Sequence, residues 1–394
     1  MIELQTSIRI LHVVGLLNRG GTETGLMHIL HHIDRDRFKL DFLTHATRPA
    51  AYDEEARQLG ARIIPCLAPR QPLRYARNFQ RIMRDYGPYD IVHSHSSHFS
   101  GFVQWLAFKA GIPVRISHSR NCFDEDAYRL PRPIRDVYLA LMKRWLDKYT
   151  TTGLAVSKAA AEYLFGEVWD SDPRNHVLYS GNDFSGFETT FDRDVTRKEL
   201  GIPEDAFVIG HIGSFNWVKN HDFLVDVATE AHKQEPTIWL LLVGKGEFRS
   251  RIESRVTEAG LADQTVFSGV RDDIPRIMQA MDILVFPSHR EGLPRVIIEA
   301  QAAGLPCVVS SQVTEEVVVN DLLIKRVSLD KSAAQWAEII LTTHNQPMKV
   351  DRAQALALMK NSHFNIENQI KILEQLYSNQ LLAARQTAHA TPRL

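Results

Sequence analysis

The stretch REGLPRVIIEAQAAGLPCVVSS, residues 290–311, carries two acids eight positions apart, with an arginine between them. Glu291 opens a loop, and Glu299 follows Val-Ile-Ile on what reads as a packed helix. Pro294 is a natural first-turn residue, so the helix is expected to start there, with Gly292 and Leu293 as its entry loop. Backbone N–H groups between Gly292 and Arg295 would then point at an anion. Glu299 falls in the second turn, and a carboxylate among aliphatics needs partners. Two vicinal hydroxyls of a ligand, such as those of a ribose, would satisfy it; a nearby Arg or Lys would do so equally.

Other residues share this chemistry. Lys219 lies in GSFNWVKNH, past a strand and before a helix, where a point charge can hold a diphosphate and stabilise its departure. Gly20 and Gly21 lie between the first strand and a helix, the setting for close backbone approach to an anion, although the order is not G-x-G-x-x-G. His93, His95 and His98 cluster at a strand end. His93 and His95 point the same way because strand side chains alternate. A metal reading of the three lacks a carboxylate at ligand spacing, so substrate contact or hydrogen-bonded packing is expected, and no metal site is assigned. His118 ends the strand VRISHS, either facing a ligand or satisfied within the core. The pairs Asp34/Asp36, Asp124/Asp126, Asp170/Asp172 and Asp192/Asp194 fall in polar turns rather than at apolar strand ends, and read as solvated loops.

These residues need a frame. The chain has 394 residues, enough for two domains; 44% are apolar and 24% charged, as in a soluble globular protein. A net charge of −1 gives no argument for nucleic acid as partner. Three cysteines, Cys66, Cys122 and Cys307, form no C-x-x-C pair, which suits a reducing cytoplasm. The opening MIELQTSIRILHVVGLL reads as a first strand rather than a signal peptide, and no apolar run reaches the roughly 18 residues of a membrane span. Strand-like runs such as IRILHVV, DIVHSH, FVIGHIGS, IWLLLVGKG and ILVFPS alternate with helical patterns from end to end. Such alternation predicts an α/β chain of two doubly wound, Rossmann-like domains, with ligands at the strands' carboxyl ends and a central cleft between the domains.

The expected boundaries are a first domain at 1–188 and a second at 189–365. The polar stretch 184–206 is the expected linker. A helix at about 366–384 is expected to pack back on the first domain, and 385–394 to be a disordered tail. One helix, in 69–87, places Arg70, Arg74, Arg77, Arg81 and Arg84 on one face, with Leu73, Phe79, Ile82 and Met83 available for the core. That stripe, and a second basic stretch at 128–149, suit either plain solvent exposure or an anionic membrane surface or polyanionic acceptor.

Together the residues resemble family 4 glycosyltransferases of GT-B fold, the exopolysaccharide and capsule group above all. The resemblance is carried by G-G-T-E at 20–23, Ser157-Lys158, Gly181-x-Asp183, K-N-H at 219–221, V-G-K-G-E at 243–247 and E-G-L-P-x-V-x-x-E-A-x-A-A-G-x-P from Glu291. It covers nearly the whole chain in order. It implies a cytoplasmic enzyme, with a further expectation of peripheral contact at the inner membrane face. The reaction would be transfer of a hexosyl unit from a nucleoside-diphosphate sugar, UDP favoured, with retention and without a metal or other cofactor. The acceptor would be a glycan, a lipid-linked glycan or a small molecule. Glu299 would bind the ribose, Glu291 the donor sugar's hydroxyls, Lys219 the diphosphate, and Gly21 would lie near the phosphates. His118 would sit at the donor sugar, and His93 and His95 toward the acceptor.

One departure stands out. Ser214 occupies a position where the family carries an arginine, removing a contact to the leaving group that is worth about 2.7–4 kcal/mol by analogy with one lost donor. Arg290 and Arg295 are the candidates to replace it. Two other functions stay open: a nucleotide-sugar 2-epimerase of the same fold, and a non-catalytic partner subunit.

Overall fold

A computed structural model of the chain describes residues 7–122, 130–346 and 350–390, with side chains to 387. Two compact units emerge, Met1–Gly181 with Ile366–Leu394, and Asn182–Asn365.

The first unit is built on seven parallel strands: β1 (Ile8–Val13), β2 (Phe38–Thr44), β3 (Ile63–Pro65), β4 (Ile91–Ser94), β5 (Val114–Ser119), β6 (Thr152–Ala155) and β7 (Asn175–Val177). Their order is β3-β2-β1-β4-β5-β6-β7, so the winding reverses between β1 and β4. In β1, Ile10 faces one core with Leu26, Phe38 and Tyr377, while Leu11 and Val13 face the other with Phe79, Val92 and Leu106. Buried on both sides, such strands are apolar nearly throughout.

The second unit has six parallel strands: β8 (Phe207–Ile212), β9 (Ile238–Val243), β10 (Thr265–Gly269), β11 (Ile283–Phe286), β12 (Cys307–Ser310) and β13 (Ile324–Val327). Their order is β10-β9-β8-β11-β12-β13, with the reversal between β8 and β11. Each reversal parts the flanking connections at the strands' carboxyl ends and leaves a crevice suited to a ligand.

Three expectations change. The stretch 184–206 is not a linker but part of the second unit: Phe184 and Phe187 are buried, and the helix Arg193–Glu199 packs in. Its polarity misleads because Arg197, wholly buried, donates to the carbonyls of Ala280, Glu204 and Ala206 and to Asp282 Oδ2 at 2.6 Å. Of the expected tail at 385–394, residues 385–390 instead continue the helix Ile366–Ala390, whose Leu, Ala, Arg and Gln residues are good helix formers, and 391–394 lie outside the described residues. In the helix Pro72–Tyr86, Tyr75 joins Phe79 and Ile82 in the core, and Leu73 is 78% exposed. Leu73 lies one turn from Arg77 on the outer stripe, so the helix repeat turns it outward.

Candidate active site

In the second unit, the two loops that leave β8 and β11 at the switch point bring the expected residues together. Asn216 accepts from the Lys219 amide at 3.2 Å and caps a single 3₁₀ turn, Trp217–Lys219. Asn220 then takes a left-handed conformation, φ 55° and ψ 46°, which asparagine tolerates better than most residues, and its side chain donates to Pro287 O. The His289 amide donates to Val218 O, tying the two loops. Lys219 Nζ consequently meets Glu291 Oε1 at 2.6 Å and lies 4.5 Å from the Phe286 ring centre. Gly213 makes room for the lysine stem, since a Cβ there would approach its Cε at 3.1 Å. Gly244, at φ +140°, lets the β9 loop pass so close that a Cβ would meet Gly213 O at 2.0 Å.

Beneath Lys219 lie two buried imidazoles. His211 Nδ1 donates to Val285 O at 2.8 Å, and His221 stacks on Phe215 at 4.3 Å. Burial, helped by the charge of Lys219, pushes His211 down to about 4 and His221 down to about 2. Both are therefore neutral, and Lys219 and Glu291 stand over an apolar, uncharged floor.

The helix begins at Arg295 rather than Pro294, which serves as its N-cap, because ψ of 103° is not helical. No side chain caps this helix start. Gly292 and Pro294 are buried and Leu293 is half-buried. Glu299 is in the helix's second turn; loss of water raises its carboxyl pKa, and the Arg295 guanidinium one turn back opposes that shift. Arg295 is buried, whereas Arg290 is exposed and lies over the Trp217 ring at 5.9 Å. Ser214 is exposed beside these loops.

In the first unit, strand register assembles histidines. His12 is paired with His93 across β1 and β4, and His118 lies two residues beyond Ile116, the β5 partner of His93. All three, with His95, therefore share one face at the switch point. The four rings form two edge-to-edge pairs, His12 Nδ1 to His95 Nε2 and His93 Nε2 to His118 Nδ1, each at 3.0 Å. Arg120 Nε donates to His95 Nδ1 at 3.1 Å, and Tyr377 Oη meets His93 Nδ1 at 2.8 Å. Burial pushes His12 down to about 3 and the other three well below the ordinary range, with Arg120 adding to each shift. Among the described residues, His118 Nε2 and His12 Nε2 are buried with no hydrogen-bond partner.

The expectation that His93 and His95 face an acceptor meets a physical obstacle: both nitrogens of each ring are already engaged inside the unit. His98 is buried with its ring edge-on to Tyr163 at 5.0 Å. Gly20 caps the helix Gly21–His32 in an extended conformation and lies against Glu23, whose carboxyl pKa burial raises.

Three of these imidazoles, His12, His93 and His95, hold nitrogens within 4.8 Å of one another, near enough to consider a metal. The donor set argues otherwise. Arg120 donates to His95 Nδ1, so a neutral His95 carries its hydrogen on Nε2 and has no lone pair there for an ion. The Arg120 charge repels a cation as well. The acid pairs have local duties: Asp192 caps Arg193–Glu199, Asp172 holds Arg174 through both oxygens, and Asp34 accepts from the Asp36 amide. Asp124 and Asp126 lie outside the described residues.

His12, Arg120 and Tyr377 were missed from sequence. The signals were a histidine inside the apolar run IRILHVV and a basic residue two places after His118. Tyr377 gave none, since its contact spans 284 positions.

Comparison with known proteins places this geometry in context. The family described as "Glycosyl transferases group 1" matches residues 192–357, and "Glycosyl transferase 4-like domain" matches 20–181. EpsF of Bacillus subtilis, assigned as a glycosyltransferase, is 34% identical over 335 residues, covering 84% of this chain and 86% of EpsF. CapH of Staphylococcus aureus, a capsular polysaccharide biosynthesis glycosyltransferase, is 24% identical over 381 residues, covering 95% and 100%. HepE of Anabaena, solved with UDP and glucose, shares the fold at a TM-score of 0.78 and 20% identity, covering 94% of this chain and 100% of HepE. The chain belongs to the group 1, family 4-type glycosyltransferases of the exopolysaccharide and capsule kind, and its two parallel-sheet units are those of the GT-B fold.

Proposed function

We propose that this glycosyltransferase moves a hexosyl unit from a nucleoside-diphosphate sugar, UDP favoured, to a glycan or lipid-linked acceptor, with retention and without a metal. The observation that carries the reading is the meeting of Lys219, Glu291 and an uncapped helix start bearing Glu299 at one switch point. Each group has a task. Lys219 and the amides at the start of Arg295–Ala302 take the diphosphate charge as the anomeric C–O bond breaks. Glu299 accepts the ribose hydroxyls, replacing the water it has lost. Glu291 releases Lys219 and accepts from hydroxyls of the sugar. His118 is assigned to the donor sugar.

The acceptor oxygen attacks the anomeric carbon on the face the phosphate leaves, and its proton passes to a phosphate oxygen, so no protein nucleophile is needed. HepE supports UDP as donor by its own bound nucleotide, as CapH, named for capsular polysaccharide biosynthesis, supports a polysaccharide acceptor.

A thermal-shift screen of UDP-, GDP-, ADP- and dTDP-sugars, followed by transfer assays in EDTA, tests this. Stabilisation by one nucleotide class, acceptor-dependent release of its diphosphate and unchanged anomeric configuration are expected. Donor turnover without acceptor would indicate the epimerase, and no release at all a non-catalytic subunit. Loss of activity in EDTA, restored by a divalent ion, would remove metal independence.

A second reading concerns the helix Pro72–Tyr86. Arg70, Arg74, Arg77, Arg81 and Arg84 are all exposed, and Leu73 stands out among them. A cationic face carrying an exposed leucine suits peripheral attachment to an anionic lipid surface, where a lipid-linked acceptor would be found. No described helix is long and apolar enough to cross a membrane.

A further inference from the structure

The paired histidines hold a directional chain of hydrogen bonds that starts on the last helix of the protein. Tyr377 belongs to the helix Ile366–Ala390 and is wholly buried; its hydroxyl has one hydrogen-bond partner among the described residues, His93 Nδ1 at 2.8 Å. His93 Nε2 then meets His118 Nδ1 at 3.0 Å, with ring planes 9° apart and centres 5.2 Å apart. That separation is close to the longest a 3.0 Å nitrogen contact allows between two imidazoles, so the rings meet edge to edge in one plane. This is good geometry for an N–H···N bond.

Two arrangements of hydrogens fit these distances. In one, the tyrosine donates to His93 Nδ1, His93 Nε2–H donates to His118 Nδ1, and His118 carries its remaining hydrogen on Nε2. In the other, every bond reverses, and the phenol hydrogen is left buried without an acceptor. Both make two hydrogen bonds; the first leaves its spare hydrogen on His118 Nε2, where a bound oxygen can accept it, whereas the second leaves it on the wholly buried phenol. Burial holds both imidazoles neutral and the phenol protonated, which keeps the chain in its neutral form. The neighbouring pair runs the same way. Arg120 can only donate, so His95 Nε2–H must donate to His12 Nδ1.

We propose that Tyr377 is a positioning residue which, through His93, fixes the tautomer of His118 and presents its Nε2–H as a donor to an oxygen of the bound sugar. This builds on the placing of His118 at the donor sugar. A donor of fixed direction distinguishes a ligand hydroxyl that can accept from a group that can only donate. The final helix is thereby coupled to the site through a single hydroxyl, although it lies far along the chain.

The test separates the tautomer from its use. Long-range proton–nitrogen NMR correlation on histidine-labelled protein, assigned by the signals lost in His118→Gln, reads which ring nitrogen bears hydrogen. Wild type should show His118 with hydrogen on Nε2 and a lone pair on Nδ1, and Tyr377→Phe should give mixed tautomers with little change in Tm. In transfer assays, Tyr377→Phe should lower kcat about tenfold while donor KM stays within about twofold, the pattern of a lost transition-state contact. Hydrogen on Nδ1 of His118 in wild type would overturn the proposal, as would an unchanged His118 tautomer in Tyr377→Phe. If His118→Ala keeps full activity while the NMR result holds, the hydrogen-bond chain stands and the placing of His118 at the sugar fails.

Discussion

Lys219 Nζ and Glu291 Oε1 lie 2.6 Å apart, with each side chain about one-sixth exposed or less. The two residues come from different loops, 72 positions apart, and meet over neutral His211 and His221. On the proposed reading, the lysine assigned to the diphosphate is already paired with a carboxylate. A donor must displace that contact, and Glu291 gains a new partner only if the sugar supplies hydroxyls. Lys219→Ala should therefore lower kcat/KM about 10²–10³-fold and weaken UDP binding. Glu291→Gln should tighten UDP binding, because Lys219 is released, yet lower kcat. Calorimetric titration with UDP checks both; weaker UDP binding in Glu291→Gln would refute the competition.

Arg290 and Arg295 should part company. Arg290 is exposed beside Trp217, whereas Arg295 is buried one turn from Glu299 and eases the burial of that carboxylate. Arg290→Ala should raise donor KM several-fold with an unchanged Tm, as expected if it replaces the arginine absent at Ser214. Arg295→Ala leaves Glu299 without its nearby charge and should cost about 1–3 kcal/mol of stability. Steady-state kinetics and denaturant titration distinguish them. Equal, wild-type donor KM in both variants would mean that neither takes over the Ser214 position.

Acid should destabilise the protein well before its carboxylates protonate. His12, His93, His95, His118, His211 and His221 are all held below the ordinary histidine value by burial. Below about pH 6.5 the unfolded chain takes up protons there that the folded chain refuses, so stability falls as pH falls toward the depressed values. Each such imidazole contributes about 1.4 kcal/mol per pH unit in that window. Glu23 and Glu299, with raised values, oppose this weakly, binding protons in the folded state first. Tm should drop steeply between pH 7 and 5; a flat profile there would contradict neutral buried imidazoles.

The stretch around Arg197 offers a purely structural test. Asp282 accepts from Arg197 at 2.6 Å, from Arg193 at 2.6 Å and from the Val208 amide at 2.7 Å. Asp282→Ala would strand a wholly buried guanidinium, and removal of one partner from a buried pair costs about 3–5 kcal/mol. Loss of that size in urea titration would confirm that 184–206 is a working part of the second unit. A loss below about 1 kcal/mol would return it to the status of a connector.

The sequence made local patterns plain and long-range pairings obscure. Alternating apolar strands and helices announced two parallel sheets, and Lys219 and Glu291 each stand just past a strand, while Glu299 in the following helix was joined to them by the resemblance to family 4 glycosyltransferases. The partnership of Lys219 with Glu291 was not legible, since two acids and one base in separate loops do not specify who pairs. Polarity misled at Arg197, where a charged residue is buried because four acceptors surround it. Histidines 93 and 95 were read as ligand contacts because strand alternation fixes their direction but not what lies in front of them. Tyr377, arriving from the last helix, takes that place for His93, and His12 and Arg120 take it for His95.

The exposed stripe on Pro72–Tyr86 makes the final prediction. Arg74, Arg77 and Arg81 project from the helix with Leu73, while Arg84 pairs only with its neighbour Asp85. A basic residue near an anionic bilayer contributes about 1 kcal/mol, so Arg74→Ala, Arg77→Ala and Arg81→Ala together should weaken vesicle binding about a hundredfold. Leu73→Ala should weaken it further through lost apolar burial, and by an amount that salt does not change. Wild-type binding itself should fall steeply with ionic strength and vanish on neutral vesicles. Because all four side chains lie outside the core, Tm should hold in every variant. Co-sedimentation with phosphatidylglycerol-containing vesicles at low salt measures this, and failure of the wild-type protein to bind them would leave the stripe as an ordinary solvated face.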